Sequence, residues 1–397
     1  MATDILNNPA PSRKSALLEL AALFLKLGTI AFGGPAAHIA MMEREVVGRL
    51  GWLSHEQFLD LLGATNLIPG PNSTEMAIHI GHRRGGWPGL LVAGICFILP
   101  AACIVTLIAW AYVRYGQLPQ VGAILYGIKP VIIAIVVQAL WKLARVAVKT
   151  KTLAVIGLAA VALCFLGVNE LIILLAAGLL VAAIRWVRQR KSTMAGAFIP
   201  LWPNPVSLFT AAAMTAPVVA APFTLGSMFL VFAKIGSVLF GSGYVLLAFL
   251  RTDFVEKRHW LTESQLLDAV AVGQFTPGPV FTTATFIGYL LGGGLGGVVA
   301  TIGIFLPAFF FVAISGPLVP RIRQSPLAGA LLDGVNVASL ALMIAVTYRL
   351  GAAALVDWIT PLLAGISAFL LFRYAINSIW LVLGGAAAGW LVSLLGA

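Results

Sequence analysis

Charge is what this sequence has least of. Only 10% of its 397 residues are Asp, Glu, Lys or Arg, against about 25% in an ordinary soluble domain. Cysteine is scarce too: Cys96, Cys103 and Cys164 all lie inside apolar runs. With no CxxC pair and no neighbouring histidine, they exclude a disulfide framework and a structural zinc site, and read as packing residues. No HExxH or GxSxG appears, so nothing organises metal or serine hydrolysis. "GGGLGG" at 292–297 satisfies GxGxxG on paper. No strand precedes it, so it reads as a loop or a close helix contact, not a nucleotide site. His79 and His82 stand three apart, but Arg83 and Arg84 follow directly. That is a helix end facing the cytoplasm, not a metal site. No catalytic group, metal or cofactor is therefore expected.

What the chain has is apolar length. Hydrophobic residues make up 60% of it, and the mean hydropathy is +1.00. Uninterrupted runs at Leu90–Val113, Val131–Leu140, Leu153–Leu166, Leu171–Trp186 and Trp380–Leu395 each supply most of the ~20 residues a membrane helix needs. The fold class is an all-α polytopic membrane protein, with lipid as its surroundings. The polar residues 1–14 read as a cytoplasmic N-terminus, and the first apolar run as a retained helix. The net charge of +11 comes mostly from bases at the ends of apolar runs. That is a membrane-orientation pattern and no sign of nucleic-acid binding.

The chain is also duplicated. Shifted by 208, "FLKLGTIAFGG" at 24–34 lies over "FAKIGSVLFGS" at 232–242. "GWLSHEQFLDLL" at 51–62 lies over "HWLTESQLLDAV" at 259–270, and Pro69-Gly70-Pro71 over Pro277-Gly278-Pro279. Sixteen of the fifty-one positions from 24 to 74 are identical without a gap. After a one-residue slip, a shift of 207 carries Pro100 onto Pro307 and Gly127 onto Gly334. The first copy, 15–187, has basic clusters at Arg83-Arg84, Arg145/Lys149/Lys151 and Arg185/Arg188/Arg190/Lys191. At the corresponding places the second, 223–394, has Leu290-Leu291, a stretch at 352–358 with no base and an uncharged C-terminus, which predicts opposite orientations in the bilayer. Six crossings per copy are expected, in the first at roughly 15–33, 54–82, 87–113, 120–141, 151–167 and 169–187. Inversion needs one more span in the linker 188–222, and the apolar stretch 206–222 can supply it, giving about thirteen. Inverted repeats with interrupted helices are the architecture of secondary transporters.

The interruptions show where a substrate would sit. "SHEQ" at 54–57 and "TESQ" at 262–265 fit the capping box that starts a helix. That helix should run to Leu67 or Phe275 and break at Pro-Gly-Pro. Pro69 and Pro277 disfavour helix in the residue before them; Pro71 and Pro279 restart it. One straight helix over 54–82 would span about 43 Å, more than the ~30 Å hydrocarbon layer. A break inside the membrane leaves bare N–H groups that suit an anion. A re-entrant hairpin is the alternative to a broken crossing. Gly70, Asn72, Ser73 and Thr74 surround this point in the first copy, and Gly278 and Thr282 in the second. A second break per copy falls at Gly33-Gly34-Pro35 and at Gly241-Ser242, so four helix ends can converge. Lys26 and Lys234 lie within apolar helices at matched positions and are candidate ligands for a dianion. Otherwise they snorkel or pair with Asp60 and Asp268. Lys129 is a weaker candidate, because its counterpart is Asn336. Glu75 is a candidate proton carrier, with a carboxylate held by the helix N-terminus as the plainer reading.

These stretches resemble a known family. "FGGPAAHI" at 32–39, "IPGPNSTE" at 68–75, "FGSGY" at 240–244 and "QFTPGP" at 274–279 are similar to motifs of the chromate ion transporters. The likeness covers essentially the whole chain, as in that family's long form of two fused homologous domains. The family tends to have FGGGY where this chain has Ser242, which alters the presumed site slightly. The resemblance implies a bacterial inner-membrane exporter of chromate, involved in chromate resistance, with sulfate as a competing look-alike. A sulfate carrier is one alternative, since both ions are tetrahedral dianions. A membrane-embedded lipid pyrophosphate phosphatase is another, because "PGPNST" faintly resembles its serine loop. Such an enzyme needs an arginine beside that serine, and here the nearest downstream is Arg83. A homodimer of two such chains is a candidate assembly.

Overall fold

The computed structural model describes residues 13–193 except 33 and 117, and residues 222–395 except 241, 242, 324 and 375. Its elements are helical. In the first copy they are α1 (Arg13–Ile30), α2 (Gly34–Glu43), α3 (His55–Thr65), α4 (Asn72–Tyr115), α5 (Pro119–Ala147), α6 (Lys151–Phe165) and α7 (Glu170–Thr193). In the second they are α8 (Leu225–Val238), α9 (Leu246–Leu250), α10 (Glu263–Phe275), α11 (Thr283–Arg323), α12 (Pro326–Ala354), α13 (Ile359–Tyr374) and α14 (Ser378–Leu394). One wide π-turn extends α2 over Arg44–Arg49, and another extends α9 over Arg251–Glu256. Among the described residues, five helices are long and apolar enough to cross a membrane, and four shorter apolar ones accompany them. The chain is a polytopic membrane protein. The linker span expected at 206–222 lies outside the described residues, except for its last residue.

Both capping boxes form. Ser54 accepts from the Gln57 N–H while the Gln57 side chain accepts from the Ser54 N–H, and Thr262 and Gln265 repeat the exchange. α3 ends at Thr65 and α10 at Phe275.

The breaks turn the chain back on itself. α4 is one element in name only, because at Gly86 (φ 61°, ψ −151°) it reverses. A Cβ on Gly81 would lie 2.3 Å from the Gly89 carbonyl oxygen, whereas eight residues of straight helix would hold them about 12 Å apart. Gly288 and Gly296 meet in the same way across the reversal at Gly292–Gly293. "GGGLGG" is therefore both a turn and a close helix contact. At the open end of the first copy's hairpins, Arg84 donates to Glu19 at 2.9 Å and lies 4.9 Å over the Trp52 ring. The starts of α1, α3 and the long arm of α4 are thus gathered at one level. Phe223, Leu225, Trp260 and Gly292 gather the second copy likewise.

This differs from the expected crossings at 15–33 and 54–82. Residues 13–49 and 55–85 each double back on themselves, so that Lys26 meets Glu45 and α3 packs on the first arm of α4. The excess length of 54–82 was legible in the sequence. Gly70 (φ 139°) resolves it by reversing the chain at the break.

The copies interlock. α7 packs on α12 and α14 on α5, so each copy's last helix covers the other's central one; α6 and α13 follow the same exchange. The long arms of α4 and α11 lie antiparallel, with Gly94 against Phe309 and Leu90 clustered with Val312. α5 and α12 are antiparallel too: Lys149 pairs with Asp333 at one end, and Gly351 meets Ile133 further along.

Candidate functional site

The hairpin tips meet across the copies. The Gly70 N–H donates to the Leu239 carbonyl at 2.8 Å, and the Gly278 N–H donates to the Ala31 carbonyl at 2.9 Å. Ala31 and Leu239 are themselves matched positions, so the two bonds are equivalent. Each ties a Pro-Gly-Pro tip of one copy to the end of the first helix of the other. A Cβ on Gly243 would lie within 4 Å of Pro35, Val280 and Phe281, which brings the second pair of breaks to the same place. Gly34 adopts φ 77° at the start of α2. Gly33, Gly241 and Ser242 lie outside the described residues.

Glycine is needed at both tips for room as well as for angle. Gly278 has φ 85°, and a Cβ there would sit 2.7 Å from the Ala101 Cβ. A Cβ on Gly70 would sit 2.2 Å from Glu75 Oε1. The Glu75 carboxyl thus fills the space beside the first tip.

α4 starts one residue later than expected, with Pro71 as its cap and Asn72 as its first residue. Its in-helix pairing begins with Thr74 and Glu75, whose N–H groups donate to the Pro71 carbonyl. The N–H groups of Asn72 and Ser73 are the ones that need a partner. Ser73 is buried. Thr74 Oγ1 and both Glu75 oxygens are buried with no hydrogen-bond partner, and so is His79 Nε2 one turn further on. Such atoms are costly in a dry interior.

The second copy is closed where the first is open. Pro279 caps a short 3-10 turn, Val280–Thr282, ahead of α11. Thr282 donates its hydroxyl to the Pro279 carbonyl and Thr283 to that of Val280, both at 2.8 Å. Thr282 was expected to face an anion, but its proton is spent within its own turn. The Asn72 amide donates to Asn66 Oδ1 at 2.9 Å. Of the expected side-chain donors, Thr74 is the one with a buried, unpartnered hydroxyl.

The two lysines are already paired. Lys26 donates to Glu45 Oε1 at 2.7 Å, and Arg49 bonds the other oxygen of that carboxylate. Lys234 pairs with Asp253, which also meets Arg258 at 3.2 Å. These partners are not the Asp60 and Asp268 considered from sequence. The signal was available, because Glu45 and Asp253 stand in register at the same shift as the lysines. Lys26 is 49% exposed. Bare ammonium groups aimed at a dianion are not what this geometry supports. Each lysine instead ties its hairpin's first helix to the π-turn that ends the returning helix. Lys26→Met or Lys234→Met should lower transport about tenfold by taking one of its two cations from a buried acid. The doubles Lys26→Met/Glu45→Leu and Lys234→Met/Asp253→Leu should recover most of it in vesicle flux assays. Doubles as inactive as the singles would return the lysines to the list of anion ligands.

Sequence reasoning also missed His38. Buried within "FGGPAAHI", it places Nε2 3.1 Å from the Ala31 carbonyl that the Gly278 N–H already uses.

Comparison with known proteins decides the family. The family described as Chromate transporter matches residues 18–183 and again 226–390. This chain belongs to the chromate transporter family. It is 33% identical over 383 residues to the chromate transport protein of Cupriavidus metallidurans, covering 95% of this chain and 93% of that one. It is 33% identical over 410 residues to the chromate transport protein of Pseudomonas aeruginosa, covering 98% and 96%. A probable chromate transport protein of Synechococcus elongatus matches at 33% over 82% of each chain. No solved structure matches. Both matched segments of this chromate transporter contain a pair of hairpins and the Pro-Gly-Pro tip described above.

Proposed function

We propose that this chain carries chromate out of the cytoplasm across the bacterial inner membrane, as a secondary transporter without chemistry of its own. The observation that carries the reading is the tip-to-tip meeting of two Pro-Gly-Pro hairpins, in a chain as long as its named chromate transport relatives. Bare amide ends, one buried hydroxyl and the positive end of the α4 dipole suit a tetrahedral dianion. Gly70, Asn72, Ser73, Thr74 and Gly278 are its proposed surroundings.

The copies are read as inserted in opposite senses. Antiparallel packing of α4 on α11 and of α5 on α12 supports this, as do the basic residues at 83–84, 145–151 and 185–191. Four crossings per copy and one through the linker make nine, with four hairpins between them. The residues at 83–84, 145–151 and 185–191 then share the cytoplasmic side.

Export requires no ATP. A dianion leaving a cell held at ~100 mV, negative inside, gains about twice 2.3 kcal/mol. That sustains roughly a thousandfold gradient. Glu75 is proposed to carry a proton in step with the anion, since a proton on either oxygen removes the charge that its surroundings leave unanswered. In voltage-clamped proteoliposomes, chromate flux should rise with potential and fall when sulfate competes. Glu75→Gln should keep the dependence on potential and lose the dependence on pH. Flux indifferent to potential would overturn the electrogenic reading.

A further inference from the structure

The two copies match in sequence but not in posture. α10 is buried continuously from Leu266 to Gly273 and packs against α5. Its counterpart α3 leaves Leu59 44% exposed and Asp60 at the surface. Where α3 would meet α12, a cavity of about 390 Å³ opens instead. Asn66, Asn72, Lys149, Asp333 and Asn336 line it, so it reaches the first residue of α4 from the end of the molecule that carries Lys149.

The matching place in the other copy is shut by charge. Lys129 on α5 donates to Ser264 Oγ at 2.7 Å and lies 3.1 Å from Asp268 Oδ1, both on the α10 side. Tyr112, near the end of the long arm of α4, donates to Asp268 Oδ2 at 2.8 Å. Asp268 is 4% exposed and Lys129 18%. An ion pair at such depth holds only while both partners remain. In the first copy the matching residues are Asn336, which lines the cavity, and Asp60, which lines a separate pocket with Gln57 and Arg83.

We infer that this conformation is open at the basic end and sealed at the other, and that Lys129, Asp268 and Tyr112 form the latch on the sealed end. The inference rests on the transporter reading above. In a carrier built of inverted copies, the opposite state arises when the copies exchange postures. The α3 hairpin then closes on α12 while the α10 hairpin leaves α5. Closure on the first side would bring Asp60 to Asn336, a neutral partner, where the present state has a lysine. Substituting asparagine for lysine makes the two states unequal. The resting posture is then open to the side from which an exporter collects its load.

The test uses thiol labelling and no chromate, so its failure is separable from failure of the substrate assignment. Cys96, Cys103 and Cys164 are replaced by serine, and Asn66→Cys or its counterpart Gln274→Cys is introduced. A membrane-impermeant maleimide is then applied to inverted and right-side-out vesicles. Asn66→Cys should react in inverted vesicles, and Gln274→Cys should be protected in both. Lys129→Met should raise labelling of Gln274→Cys from the outer face about tenfold and lower that of Asn66→Cys, as a shift between two states requires. Tyr112→Phe should do the same more weakly. Exchanging the charges (Lys129→Asp with Asp268→Lys) should restore protection. Equal labelling of Gln274→Cys with and without Lys129, or a rise at both positions together, would overturn the latch.

Discussion

Gly70→Val is expected to abolish chromate transport, by about a hundredfold or more, while the protein still reaches the membrane. Two independent costs fall on the same atom. At φ 139° a branched side chain is strained wherever it points. The Cβ would also start 2.2 Å from Glu75 Oε1, with the Ala308 side chain behind it at 3.7 Å. The carboxyl cannot yield without leaving its place beside the tip, and the tip cannot yield without losing its bond to the Leu239 carbonyl. Either movement displaces the start of α4, where the anion is proposed to bind. An error of 1 Å in such a site costs about a hundredfold. Gly86→Val provides the control. That glycine has φ 61° but nothing within 4 Å of its would-be Cβ, so it should lose stability and keep most transport. Flux and membrane content, measured together on both variants, check the contrast; a Gly70→Val protein that transports normally would remove the tip from the site.

The breaks themselves were legible in the sequence, because proline and glycine act locally. A proline disfavours helix in the residue before it, and a capping box satisfies N–H groups three residues away. Ser54, Gln57, Thr262 and Gln265 therefore read correctly from spacing alone. The duplication was legible as well, from the register of Lys26 with Lys234 and of Gly70 with Gly278. What the register could not carry was direction. A Pro-Gly-Pro break can offset a helix or reverse it, and the choice depends on what waits on either side. Here the partners of the tip residues, Ala31 and Leu239, belong to the opposite copy, some 170 to 250 residues away along the chain. The lysines were misread for a related reason. Depth in an apolar helix signals that a charge needs an answer, but not that Glu45 and Asp253 supply it from the returning π-turns.

The second large effect is expected at the exchange of helices, where glycines bring backbones into contact. Gly127→Leu and Gly334→Leu should each deplete folded protein from the membrane. A Cβ on Gly127 would lie 2.0 Å from the Gly385 carbonyl oxygen and 2.7 Å from the Gly389 nitrogen. On Gly334 it would lie 2.4 Å from the Ala177 carbonyl oxygen and 2.8 Å from the Gly178 Cα. These neighbours are backbone and cannot rotate away, so the helices must separate. In lipid, association rests on packing with little hydrophobic drive, and separation should cost about 3 kcal/mol or more. The same two helices carry their own controls one and a half turns earlier: Gly122 and Gly329 have nothing within 4 Å of a would-be Cβ. Gly122→Leu and Gly329→Leu should leave the folded fraction unchanged. Thermal stability in detergent, measured on all four, separates crowding from the mere loss of glycine. Because α14 covers α5 and α7 covers α12, damage at either site opens both copies at once. The two crowded variants should therefore melt in single cooperative transitions at similarly lowered temperatures. A variant in which one half melted while the other held would mean that the copies fold independently, with the exchange of helices contributing little to stability.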